Sequence, residues 1–256
     1  VYSGNASFTA STSAAVSQVV NQGATNTALA SGTNPSVFGQ SVTFTATVTA
    51  TAPSAGTPAG SVNFFDGATN IGTIALNGSG VATLSTSNLS VSTHSITAVY
   101  VGNTSFATST SAAVSQVVNQ GATNTALTSG TNPSAFGQSV TFTATVTATS
   151  PSTGTPAGTV NFFDGATGIG SGTLNGSGVA TLSTSGLSVA SHSITAVYVG
   201  NVNYLTSTSG AVNQVVNNGA TSTVVASSLN PSLSGNAVTF TATVTVTAPA
   251  TGTPTG

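Results

Sequence analysis

The feature that most constrains this chain is an internal repeat with a period of 98 residues. The string VTFTATVT occurs at Val42–Thr49, Val140–Thr147 and Val238–Thr245, so successive copies start 98 positions apart (140 − 42 and 238 − 140). Residues 1–98 differ from residues 99–196 at 16 positions. A period near 98 is too long for a solenoid turn or a propeller blade, but it suits a small domain with its own core. The sequence therefore predicts a tandem array of small domains.

The repeat also predicts where these domains begin and end. Residues 23–120 and 121–218 are predicted to be complete domains, residues 1–22 the C-terminal end of a preceding domain, and residues 219–256 the N-terminal part of a truncated one. Three full repeats would need 3 × 98 = 294 residues, which is 294 − 256 = 38 more than the chain has. We therefore expect these residues to be a window on a longer array.

Within residues 23–120, short runs of alternating apolar and polar residues are separated by Gly, Pro and Asn. Alternation with a period of two predicts strands that bury one face, and no apolar period of 3.6 persists for the length of a helix. The predicted strands cover Thr25–Leu29, Val42–Thr49, Val62–Phe65, Ile71–Leu76, Val81–Leu84, Ile96–Tyr100 and Ala112–Val118, and the last of these has an identical copy at Ala14–Val20.

Seven short strands in about 98 residues predict an all-β fold of tandem seven-stranded immunoglobulin-like β-sandwiches. The chain has no Cys, so the sandwiches contain no disulfides and apolar packing must hold their sheets together. The predicted core of the first complete domain consists of Val42, Phe44, Val62, Phe64, Leu84, Ile96 and Tyr100.

The composition excludes several classes of function. The chain has no Lys and no Arg, so it cannot neutralise the phosphates of a nucleic acid or bind an anionic membrane surface by charge. Without Cys it has no thiolate metal site and no thiol nucleophile. Hydrophobic residues make up 38% of the chain, which argues against disorder, yet no apolar run approaches the ~20 residues of a membrane span.

Four ionisable side chains are candidates for chemistry. Asp66 and Asp164 each lie in a Phe-Phe-Asp-Gly string, which predicts a turn, and one carboxylate per repeat is too few for calcium. His94 and His192 each start a strand with no visible carboxylate or second histidine nearby, and we expect each to bond to the loop before it. No Gly-x-Ser-x-Gly elbow accompanies them. We predict no catalytic, cofactor-binding or metal-binding residues, no cofactor, and no enzyme activity.

Four strings in order resemble a known family. They are GQSVTFTATV at Gly39–Val48, GTPAGSVNFFDG at Gly56–Gly67, GVATLSTSNL at Gly80–Leu89 and HSITAVYVGN at His94–Asn103. Together they resemble bacterial Ig-like repeats of the Big group. The resemblance covers the whole chain and implies seven-stranded sandwiches strung in tandem on large extracellular or cell-surface proteins.

Two functions follow as hypotheses. The first is a structural array that forms the stalk, spacer or fibre of an adhesin-like or filament-forming protein, with neighbouring repeats and identical chains as its partners. Short connections such as Val20–Gly23 and Val118–Gly121 are expected to limit the bend between domains. The alternative is a carbohydrate-binding or adhesive module that uses surface Thr, Asn and Tyr side chains, including the row Thr43, Thr45, Thr47 and Thr49.

Glycosylation is left open by the sequence. The pattern Asn-x-Ser/Thr occurs at Asn5, Asn77, Asn88, Asn103 and Asn175.

Overall fold

The computed structural model describes residues 1–255, which contain strands and no helix. Gly256, the last residue of the predicted segment 219–256, lies outside the described residues. The first complete repeat contains β1 (Thr25–Ser31), β2 (Ser36–Val37), β3 (Val42–Ala50), β4 (Ser61–Asp66), β5 (Thr69–Ala75), β6 (Val81–Thr86), β7 (Thr93–Tyr100), β8 (Ser109–Thr110) and β9 (Val114–Asn119). The second contains β10 (Thr123–Ser129), β11 (Ser134–Ala135), β12 (Val140–Ala148), β13 (Thr159–Asp164), β14 (Thr167–Thr173), β15 (Val179–Thr184), β16 (Ser191–Tyr198), β17 (Ser207–Thr208) and β18 (Val212–Asn217). Two further strands, β19 (Thr221–Ser227) and β20 (Phe240–Val246), form a separate antiparallel pair.

The second repeat is a sandwich of two sheets. Its smaller sheet has the strand order β10-β12-β15, and its larger sheet has the order β11-β18-β16-β13-β14 with β17 beside β16. The pairs β10–β12, β12–β15, β13–β14, β13–β16, β16–β17 and β16–β18 are antiparallel, whereas β11 runs parallel to β18. The first repeat has the same arrangement, with the orders β1-β3-β6 and β2-β9-β7-β4-β5. The predicted all-β, immunoglobulin-like sandwiches without disulfides are confirmed.

The core of each repeat lies between the inner faces of its two sheets. In the second repeat Phe142 and Val146 from β12 lie in one apolar cluster with Phe162, Ile194 and Tyr198 of the larger sheet, and each is at most 1% exposed. Buried residues alternate with mostly half-buried ones along β12, as expected for a strand with one face in the core. The same positions are buried in the first repeat, which confirms six of the seven predicted core residues there.

Leu84, the seventh predicted core residue, is half-buried instead. It belongs to β6, an edge strand of the smaller sheet, and lies against Gly72 of β5, an edge strand of the larger sheet. A Cβ atom at Gly72 would approach the Leu84 side chain to 2.8 Å, so the absence of a side chain at Gly72 leaves room for Leu84. Solvent reaches Leu84 because it packs at the rim of the sandwich and not between the sheets.

The predicted strand at Ala14–Val20 is wrong, because residues 12–22 contain no strand. Val16 is 89% exposed, Val19 71% and Val20 87%. The identical sequence at Ala112–Val118 does form β9, shifted slightly to Val114–Asn119, and there it lies between β2 and β7 in a sheet. Strand formation by this sequence therefore depends on neighbouring strands with which to bond, which residues 14–20 lack within the described part of the chain.

A buried glutamine joins the two sheets at one edge of each sandwich. Gln214 of β18 is fully buried, and its Oε1 accepts a 2.6 Å hydrogen bond from the hydroxyl of Ser129, at the end of β10. Its Nε2 donates to the carbonyl oxygen of Thr131 (3.0 Å) and to the hydroxyl of Ser134 (3.2 Å). Gln116 bonds to Ser31 in the same way in the first repeat. Because buried polar groups are costly unless bonded, these bridges fix how the sheets meet.

Tyr100 and Tyr198 end the central strands β7 and β16 and are fully buried. The hydroxyl of Tyr100 donates to the carbonyl oxygen of Ala59 (2.7 Å), and that of Tyr198 to the carbonyl oxygen of Ala157 (2.9 Å). Each ring therefore fills the core, while its hydroxyl holds the loop before the neighbouring strand, β4 in the first repeat and β13 in the second. Burial also raises the pKa of both phenols.

Replacing Phe44 with Ala tests the register of β3. We expect a loss of about 3–5 kcal/mol in the free energy of unfolding of the first repeat, because a fully buried aromatic side chain is removed. Chemical denaturation followed by circular dichroism measures this loss. The matched control is Thr43→Ala on the opposite, exposed face of the same strand, which should change stability by well under half as much. A loss below about 1 kcal/mol for Phe44→Ala would contradict the register.

Candidate functional site

The candidate site in each repeat is formed where the turn after one strand meets the start of another. Asp66 is the last residue of β4, and Gly67 follows it in the turn to β5 with a φ of 56°, a conformation that favours glycine. The equivalent pair Asp164 and Gly165 has the same geometry after β13. The structure thus places both aspartates at hairpin turns.

The structure also brings each aspartate next to a histidine, a pairing that the sequence alone does not predict. The Nδ1 atom of His94 lies 2.7 Å from Oδ2 of Asp66, and that of His192 lies 2.6 Å from Oδ2 of Asp164. β4 and β7 pair with Asp66 opposite Ile96, so His94, two residues before Ile96, projects from the same face next to the carboxylate. The expectation that each histidine stands apart from any carboxylate is therefore wrong.

The second ring nitrogen of His192 is also bonded. Its Nε2 lies 2.9 Å from the carbonyl oxygen of Ser188, in the loop before β16, as expected for a histidine that bonds to the preceding loop. Since a carboxylate and a carbonyl both accept, both ring nitrogens are best satisfied when they carry protons. The hydrogen bond to Ser188 therefore raises the pKa of His192, burial opposes it, and the bond to and charge of Asp164 add to the rise.

Both ring nitrogens of His192 are engaged in contacts within the repeat. A catalytic histidine needs a ring nitrogen that faces the substrate or a nucleophile, but in His192 one nitrogen faces Asp164 and the other a main-chain carbonyl. Among residues 1–255 no group of three or more His, Cys, Asp or Glu side chains could hold a metal ion. The same residues include no helix long and apolar enough to cross a membrane.

Several of the candidate glycosylation asparagines take part in turns. Oδ1 of Asn77 accepts hydrogen bonds from the backbone N–H groups of Ser79 (2.9 Å) and Val81 (3.0 Å), and Asn175 does the same in the second repeat. Asn103 uses both ends of its amide, because its Nδ2 also donates to the carbonyl oxygen of Ala59 (2.9 Å). These side chains therefore have structural roles in the fold.

Part of the threonine row considered for carbohydrate binding makes contacts within its own sheet: Thr43 forms a hydroxyl pair with the neighbouring strand. Thr43 is exposed, while Thr45 and Thr47 are half-buried on the outer face of β3. The hydroxyl of Thr43 lies 2.8 Å from that of Ser85 on β6, and the pair Thr141 and Ser183 repeats this contact at 2.7 Å. Cross-strand hydroxyl pairs of this kind stabilise a sheet.

The raised pKa of His192 predicts a pH dependence of stability. A histidine whose pKa is higher in the folded state than in the unfolded state stabilises the fold fully at pH values below its ordinary pKa of 6.5. This stabilisation is lost as the pH rises through the pKa of the folded state. We expect the second repeat to unfold more easily at about pH 9 than at about pH 6. NMR titration of the His192 ring gives its pKa directly, and a value at or below 6.5 would contradict the geometry.

The matched variants for this titration are Asp164→Asn and His192→Gln. Asp164→Asn should lower the pKa of His192 and cost about 1 kcal/mol, because a charge-assisted hydrogen bond becomes a neutral one at a partly exposed site. His192→Gln should remove the pH dependence that this site gives to the second repeat. A pKa unchanged by Asp164→Asn would mean that the pair does not persist in solution.

Comparison with known proteins places the fold in a family. The model for the bacterial Ig-like domain (group 3) matches residues 29–119 and 127–217. A search of curated proteins finds no matching sequence. Solved structures with similar chains include the fibronectin(III)-like modules of CbhA from Clostridium thermocellum, with 16% identity over 75% of this chain and 94% of that one and a TM-score of 0.31.

Two adhesins are also among the similar structures. FdeC from Escherichia coli is 16% identical over 90% of this chain and 75% of its own, with a TM-score of 0.32. InvE from Yersinia pseudotuberculosis is 15% identical over 74% of this chain and 58% of its own, with a TM-score of 0.35. The family model, which matches most of the chain in two successive stretches, decides the assignment. The chain belongs to the bacterial Ig-like domain family, group 3, and carries two of its domains in tandem.

Proposed function

We propose that this chain is a structural array, the stalk, spacer or fibre part of a larger extracellular or cell-surface protein, and that it has no enzyme activity. Its domains would act by position and by mechanical resistance: each repeat buries its own core and contributes a fixed length to the array. The proposed partners are the neighbouring repeats of the same chain and identical chains alongside it in a fibre.

The observation that carries this proposal is that the reactive side chains are used inside the fold. Both ring nitrogens of His192 and the carboxylate of Asp164 bond within the repeat. The hydroxyl of Tyr198 bonds to Ala157, and Gln214 is fully buried with its amide bonded on both ends. A protein whose polar groups serve its own structure in this way is suited to a scaffolding role.

The surface chemistry also favours this role over ligand recognition. The chain has no Lys, Arg or Trp, so it lacks the cations and the large stacking ring with which many binding sites hold a ligand. Its outward hydroxyls include the cross-strand pairs Thr43–Ser85 and Thr141–Ser183, which bond to each other. A surface without charge repulsion also supports side-by-side contact with identical chains.

Mechanical unfolding of single molecules tests the structural role. With the chain held at its two ends, we expect two discrete unfolding events of similar force, because the two complete repeats are nearly identical sandwiches. Each event should release a contour length of about 340 Å, which is the length of about 98 extended residues. Gradual extension without discrete events would mean that the repeats do not resist force as modules.

The carbohydrate-binding alternative is tested separately on a glycan array with the same chain. We expect no saturable binding, because the chain has no Lys, Arg or Trp side chain to offer to a sugar. The variant Thr43→Val, which removes one exposed hydroxyl of the first row, is the control for any signal. Saturable binding that this variant abolishes would favour the adhesive module over the structural array.

A further inference from the structure

One contact in the chain recurs with the period of the repeat. The loop between β2 and β3 contains Phe38 and Gly39, and the turn after β12 contains Ser152 and Thr153. Residues 34–42 belong to the same compact unit as residues 117–256, so this loop groups with the second repeat. We call Phe38–Gly39 the Phe-Gly loop and the surface formed by Ser152, Thr153 and Tyr204 its receptor.

Two hydrogen bonds hold the main chain of the Phe-Gly loop. The hydroxyl of Ser152 donates to the carbonyl oxygen of Phe38 (2.7 Å), and the hydroxyl of Thr153 donates to the carbonyl oxygen of Gly39 (2.7 Å). Gly39 has a φ of 77°, and a Cβ atom there would lie 2.6 Å from Oγ1 and 2.7 Å from the carbonyl oxygen of Thr153. Glycine is therefore needed at this position both for its backbone conformation and for the close approach.

An aromatic contact completes the receptor. The rings of Phe38 and Tyr204 lie edge to face, with centroids 5.4 Å apart and planes at 82°. Tyr204 is 3% exposed and belongs to the core cluster of the second repeat, against which Phe38 packs. The hydroxyl of Tyr204 donates to the carbonyl oxygen of Thr153 (2.7 Å), so the same ring that meets Phe38 also fixes the turn that binds the loop.

The contact is repeated one period later along the chain. Phe136 and Gly137 stand 98 residues after Phe38 and Gly39, and the hydroxyl of Thr251 donates to the carbonyl oxygen of Gly137 (2.8 Å). Ala250 replaces the serine here, and the backbone N–H of Thr251 donates to the carbonyl oxygen of Phe136 instead (3.2 Å). The carbonyl oxygen of the loop phenylalanine is thus bonded in both places, by different donors.

The connection between the repeats is bonded as well. The backbone N–H of Phe38 donates to the carbonyl oxygen of Asn119, the last residue of β9 (2.8 Å). Two residues further on, the N–H of Gly121 donates to the carbonyl oxygen of Asn203, and its carbonyl accepts from the N–H of Leu205 (2.9 Å each). The connection and the Phe-Gly loop are therefore both tied to the turn that carries Tyr204.

We infer that each complete repeat carries a binding surface for the Phe-Gly loop that precedes it in the chain, and that Ser152, Thr153 and Tyr204 form this receptor in the second repeat. This inference rests on the proposed structural role, to which it adds the partner and the contact. In the second repeat, two hydroxyl-to-carbonyl hydrogen bonds and one aromatic contact hold the loop in place.

Distance measurements between two spin labels test the inference in the full chain. Because the chain has no Cys, Ser41→Cys beside the loop and Ser177→Cys in the second repeat, both at exposed positions, give one unique label pair. We expect a single narrow distance distribution in the parent. Phe38→Ala should broaden it and remove the narrow peak, and Thr153→Val should do so from the receptor side by removing one hydroxyl.

The matched control is Phe136→Ala, which removes the same side chain one repeat later and leaves the measured contact intact. This variant should keep the narrow peak, and thermal unfolding shows whether each variant is folded. A broad distribution in the parent, or narrow peaks in both Phe38→Ala and Thr153→Val, would overturn the inference. Binding to a glycan array would overturn the proposed function but leave the label distances unchanged, so the two failures are distinguishable.

Discussion

The contact between the inner faces of the two sheets is the interaction on which each repeat depends. The chain has no disulfide, and the ion pairs of its described residues are the two His–Asp pairs, so burial of Phe142, Phe162, Ile194 and their neighbours is the main source of stability. The other features refine this contact. Gln214 joins the sheets at one edge, and Tyr198 ties a loop to the core. Small residues such as Ala144 and Ala196 let the large rings of the core fit.

Much of the fold could be predicted from the alternation of apolar and polar residues. Val42, Phe44, Val62 and Phe64 are buried as predicted, because a strand with one buried face must alternate. Alternation reports which face of a strand is buried but not whether the strand lies at the edge of a sheet, and this explains why Leu84 is only half-buried. It also cannot say whether a strand has neighbours, which is why Ala14–Val20 was predicted to be a strand although residues 12–22 form none.

The candidate site was harder to predict because it depends on strand register. Asp164 and His192 are 28 residues apart, and only the pairing of β13 with β16 brings them together. The signal for Gln214 was present in the sequence, since alternation places it on the same face as Val212 and Val216, but a glutamine on an apolar face gives no indication of its partners. Nothing local distinguishes Phe38 from a core residue, because its contact with Tyr204 spans more than one repeat.

The position of the last strand of each repeat has a consequence for synthesis. β9 does not lie at an edge: it is inserted between β2 and β7, so the larger sheet stays incomplete until the end of the repeat has left the ribosome. The position between β2 and β7 is filled by a strand from the sequence Ala112–Val118. An identical sequence, Ala14–Val20, is synthesised about a hundred residues earlier. This position in the first repeat therefore has two candidate strands of identical sequence, and the upstream one is synthesised first. Near-identity of neighbouring repeats therefore predicts strand exchange between them as a folding error.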